Sequence, residues 1–97
     1  MKISDVTVEF ALNYVHEDPG DVEAIAAMTP ILPAAKDYII NYTGLTAEEI
    51  DEHEDLTYAY LIMIEDLYDN RSAYVSNDKV NRTLGTILSL HSRNNVG

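Results

Sequence analysis

The stretch Leu56-Thr-Tyr-Ala-Tyr-Leu-Ile-Met-Ile-Glu-Asp-Leu-Tyr68 decides how this chain is read. Its centre, Tyr58 to Ile64, is apolar or aromatic at every position. A helix with no polar stripe must be covered on all sides. In a chain of 97 residues that means a central helix, an oligomer interface, or both. The polar stretch Glu65 to Arg71 closes the segment, so the expected helix spans about residues 55–71.

Upstream, Thr46-Ala-Glu-Glu49 matches a capping box and should open a short helix near Ala47 to Glu52. Before it, Ile25, Met28, Leu32, Ala35, Ile39 and Tyr42 recur at alternating spacings of three and four, the signature of an amphipathic helix. Gly44 fits the residue that ends it. Pro30 and Pro33 lie within this run, and each lacks an N–H and crowds the carbonyl four residues back. A kink is expected, or a break with Thr29 capping a second segment that has Pro30 in its first position. Nearer the N-terminus, a helix from about Asp5 to Tyr14 is expected, capped by Ser4, with a Pro19-Gly20 turn after it. Downstream of the central helix, Asp78 should cap a last helix from about Lys79 to Arg93, with Val80, Leu84, Ile87, Leu88 and His91 as its stripe. No segment alternates in the manner of a strand. The expected fold is therefore all-α: one domain over residues 1–97, a small bundle of four to five helices around the central apolar helix.

Composition narrows the function. Six Lys and Arg against 17 Asp and Glu give a net charge of −11. Nucleic-acid binding needs cations against phosphates, so a direct nucleic-acid binder is disfavoured. No apolar run reaches the roughly 18 residues of a membrane span. Met1-Lys2-Ile3-Ser4-Asp5 lacks the apolar core of a signal peptide, and no Cys offers a disulfide or a thiolate ligand. These features together fit a cytosolic origin.

Chemical motifs are scarce. There is no Gly-x-Ser-x-Gly elbow and no phosphate-binding glycine loop. The run Glu48 to Asp55 holds six acidic residues, but without the alternating ligands and turn glycine of a calcium loop it reads as a solvated acidic face. His16, His53 and His91 form no His-x-x-x-His pair, so a zinc site would require the fold itself to bring distant histidines together. His91 is expected instead to pack or to lie at an interface. The expectation is a non-enzyme with no cofactor and no metal ligand. The tyrosines Tyr38, Tyr42, Tyr58, Tyr60 and Tyr68 divide between two uses, packing with their hydroxyls at the core rim or contact between subunits.

Three segments carry a resemblance. They are Ile3-Ser-Asp-Val6 with Phe10 and Ala35-Lys-Asp-Tyr-Ile-Ile-Asn-Tyr-Thr-Gly44, the central Leu56 to Arg71 ending Tyr-Asp-Asn-Arg, and Val80-Asn-Arg-Thr-Leu-Gly-Thr-Ile-Leu-Ser-Leu-His-Ser-Arg-Asn94. In this order they resemble the phage head–tail connector proteins, the portal-adaptor family of siphophages, over nearly the whole chain. Pro30 and Pro33 depart from that pattern and bear on the straightness of the second helix.

The resemblance implies a structural virion protein at the head–tail interface, assembled in the bacterial host cytoplasm. Its partners would be further copies of itself in a ring of roughly twelve, the portal protein, and a downstream connector or tail-completion protein, with no membrane. DNA would pass through the channel without specific binding, and such a ring would carry on the order of −130 charges. The subunit contacts it points to are Tyr60, Ile64, Tyr68 and Arg71 on the central helix and Arg82, His91 and Arg93 on the last. Two other readings compete. A small acidic regulator that binds a basic host protein predicts a monomer or dimer with regularly spaced carboxylates. A small metal-dependent enzyme predicts converging His and carboxylate groups.

Overall fold

The computed structural model describes residues 1–70 and 87–91. Over these residues the chain is all-helical, as the sequence predicts. A single 3-10 turn at Ile3–Asp5 precedes α1 (Val8–Tyr14), α2 (Val22–Met28), α3 (Ile31–Thr43), α4 (Ala47–Ile50) and α5 (Glu54–Asp69). Residues 87–90 are helical as well. The remainder of the expected last helix, with its Asp78 cap, Val80 and Leu84, lies outside the described residues.

Local chemistry sets most of the boundaries. Thr7, not Ser4, caps α1: its Oγ1 accepts the Phe10 N–H at 3.0 Å. Ser4 is occupied elsewhere, donating its N–H to Asp51 Oδ1 at 3.0 Å and tying the N-terminal turn to the end of α4. Asp21 caps α2 by accepting from Glu23 and Ala24. Thr46 and Glu49 form the reciprocal capping box that opens α4.

The proline pair breaks the long amphipathic run. Thr29 does not cap the second piece; its hydroxyl donates backward to the Ile25 carbonyl at 2.6 Å. Pro30 takes the N-cap position of α3, and Pro33 falls in the first turn, where helix N–H groups have no intrahelical partner in any case. The inward-facing spacing of three and four nevertheless continues across the break, so both pieces face one core. The buried face is Ala24 and Met28 on α2, then Ile31, Ala35, Ile39 and Thr43 on α3. Ile25 and Tyr42, predicted to face inward, are exposed.

Two helices end on left-handed residues. Gly44 (φ 74°) closes α3, donating its N–H to the Ile40 carbonyl. After α1 the same duty falls on His16 (φ 65°), with His16 N–H bonded to the Asn13 carbonyl and Glu17 N–H to the Leu12 carbonyl. That is the double-bonded Schellman ending, built without glycine.

α5 is the centre of the molecule. It packs most extensively on α3, and also on α1 and the 3-10 turn. Leu56, Thr57, Ala59, Tyr60, Met63, Ile64 and Tyr68 are buried along it. Leu88, from the 87–90 segment, joins the same core. Burying apolar area at about 25 cal/mol per Å² is what holds these short helices together, since none would be stable alone. Among the described residues every buried side-chain polar atom has a partner, and no helix is long and apolar enough to cross a membrane.

Candidate functional site

The residues picked out on the central helix take interior positions. Tyr60 is 3 % exposed, and its hydroxyl donates to the Leu32 carbonyl at 3.1 Å. Ile64 and Tyr68 are likewise buried within the chain's own core. Subunit contact through these three is therefore not how this fold uses them, because α1, α3 and the N-terminal turn already cover that helix. Arg71, Arg82 and Arg93 lie outside the described residues.

Apolar surface is left outside at other places. Val22 is 78 % exposed, Tyr58 57 % and Tyr38 52 %, with Phe10, Ile25, Tyr42 and Leu90 also exposed. Tyr38 and Tyr42, one turn apart on α3, stack with ring centroids 6.2 Å apart. Tyr58 lies near Tyr14 of α1. Burial first, then the charge of Glu65 and the Tyr58 phenol, raises the Tyr14 hydroxyl above its ordinary pKa. The five tyrosines weighed from sequence thus divide, Tyr60 and Tyr68 inside and Tyr38, Tyr42 and Tyr58 outside.

His91 packs within the chain and is largely covered. Its Nε2 lies 2.6 Å from Asp55 Oδ2, an ion pair whenever the ring is protonated. Its ring also faces that of His53, centroids 4.4 Å apart and planes inclined by 43°. One ligand atom from each of His53, Asp55 and His91 lies within 4.8 Å of those of the other two. Burial acts to raise the Asp55 carboxyl, but the hydrogen bond and charge of His91, with the backbone N–H groups of Asp55 and Leu56, outweigh it and hold the group below the usual carboxylate value.

Two elements place this cluster. His53 and Asp55 flank the start of α5, where His53 holds the N-cap position but its side chain makes no capping hydrogen bond. His91 follows the last turn of the 87–90 segment, anchored by the fully buried Leu88. No sequence motif announces the group, because 36 residues separate Asp55 from His91. Only the packing of Leu88 on the core brings them together.

Elsewhere, a shallow depression between α2 and α5 is walled by Glu17, Asp21, Glu23 and Tyr68. No protein-family model, curated protein or solved structure matches the chain.

Proposed function

We propose that this chain is a structural subunit that acts by assembly, a head–tail connector protein that rings the portal of a phage, joins head to tail and extends the DNA channel. The reading is supported by the order of the three segments that resemble that family. The observation that carries it is the exposed aromatic and aliphatic surface on α1, α2, α3 and α5: Phe10, Val22, Ile25, Tyr38, Tyr42 and Tyr58. Large exposed side chains of this kind favour protein contact, with Tyr prominent among interface anchors. Neighbouring copies of the chain are the occupants proposed for it, in place of contacts through Tyr60, Ile64 and Tyr68. The net charge of −11 suits a channel wall that repels the DNA sliding past it.

The proposal makes the protein a non-enzyme located in the virion. Mixing purified protein with portal particles and imaging them by electron microscopy tests it. An added ring of density beneath the portal is the expected outcome. Failure to bind the cognate portal, with that portal shown to be intact, overturns the reading. Tyr38→Ser and Tyr58→Ser should weaken ring formation while leaving the subunit folded.

A further inference from the structure

We propose that His53, Asp55 and His91 form a binding site for a divalent transition-metal ion of the zinc type, one that clips residues 87–91 to the start of α5. This inference is independent of the connector reading.

The donor set selects the metal class. Two imidazole nitrogens and one carboxylate oxygen match the preferences of Zn²⁺ and its neighbours, whereas Ca²⁺ and Mg²⁺ require nearly all-oxygen shells. Three protein ligands leave a fourth position for water, as in three-ligand zinc sites. A tetrahedral zinc with bonds of about 2.0–2.2 Å holds its donors about 3.3 Å apart. The present donors all fall within 4.8 Å of each other, so small side-chain rotations at a half-exposed position suffice.

Three further features favour the ion. The His53 ring is not consumed by helix capping, although it occupies a position where Ser, Thr, Asp or Asn would cap. The two rings are already in contact at 4.4 Å, so part of the ordering needed for chelation is complete before binding. The surrounding chain is strongly acidic, with Glu48, Glu49, Asp51, Glu52 and Glu54 adjacent in sequence, and it supplies a field that draws cations. Asp55 would exchange its hydrogen bond to His91 for a shared bond to the metal; the Nε2 proton would pass to solvent from an imidazolium, or a neutral ring would carry its proton on Nδ1 instead, so that neutral imidazole is the ligand.

The consequence is a cross-link between distant parts of the chain. An ion that binds the folded form and not the unfolded one raises stability by mass action.

The test is calorimetric titration of the metal-stripped protein with ZnCl₂, paired with thermal melts with and without the ion. One zinc per chain is expected, with a higher melting temperature when zinc is present. His53→Gln, His91→Gln and Asp55→Asn should each weaken binding by at least about tenfold and remove most of the thermal shift. His16→Gln should bind as the parent does. Because the chain has three histidines, the imidazole NMR signals of His53 and His91 should move with zinc while that of His16 stays, a readout that survives if one variant folds poorly. No binding at up to about a hundredfold excess of zinc overturns the proposal. So does binding unchanged by His53→Gln and His91→Gln, or one ion shared between two chains.

Discussion

The hydroxyl of Tyr60 donates to the carbonyl of Leu32 at 3.1 Å, joining the middle of α5 to the first turn of α3. The bond crosses the largest helix–helix contact among the described residues, beside the proline break. Tyr60→Phe keeps the ring and loses the donor. It should destabilise the fold by about 1 kcal/mol, the net value of one such hydrogen bond. Urea unfolding checks this: the midpoint falls and the slope is unchanged.

The same burial gives an alkaline signature. Desolvation pushes the Tyr60 hydroxyl up to about 12, against about 10 in an unfolded chain. Below pH of about 10 both states keep the proton, and this group adds no pH dependence. Between about 10 and 12 the unfolded chain ionises first, so stability falls as pH rises. Urea midpoints at pH 9 and 11 should show that decline, and it should be smaller in Tyr60→Phe.

The two left-handed helix endings should respond in opposite directions. At Gly44 a β-carbon introduces strain of about 1–2 kcal/mol, partly offset by about 0.4–1 kcal/mol from a stiffer unfolded chain. Gly44→Ala should therefore destabilise by about 1 kcal/mol. At His16 that strain is already present, and His16→Gly should stabilise by up to about 1 kcal/mol. Thermal melts of the pair decide the matter, and equal signs would contradict the assignment.

Core and surface side chains should separate cleanly. Ile64→Ala empties a fully buried position on α5 and should cost about 2–5 kcal/mol. Tyr38→Ser alters a half-exposed ring and should stay within about 0.5 kcal/mol in the isolated subunit. Chemical denaturation of both variants measures the contrast.

Much of the architecture was legible because short-range chemistry fixes it. The Thr46–Glu49 box, Gly44 and the apolar Tyr58–Ile64 run each act within a turn or two, and each appears where the sequence places it. Ser4 does not cap because it lies inside the 3-10 turn Ile3–Asp5, and α1 begins only at Val8, after Thr7. Of the stripe from Ile25 to Tyr42, Met28, Ala35 and Ile39 are buried as expected, while Ala24, Ile31 and Thr43 take the inward places beside Ile25, Leu32 and Tyr42, because neighbours one position away fit the helix contact. Tyr60, Ile64 and Tyr68 belong to the face of α5 that the rest of the chain covers, and the exposed aromatic of that helix is Tyr58, a distinction that all-round apolar sequence does not carry. The His53, Asp55 and His91 cluster had no local signal at all, since its geometry depends on where Leu88 docks.

The joint at Pro30 and Pro33 has a mechanical corollary. α2 and α3 cannot straighten into a single rod, since the Pro33 ring would then collide with the Thr29 carbonyl. The interruption is thus imposed by covalent structure and does not depend on which surfaces happen to be wet. Every copy of the chain carries it at the same place, written by two rings of carbon and nitrogen.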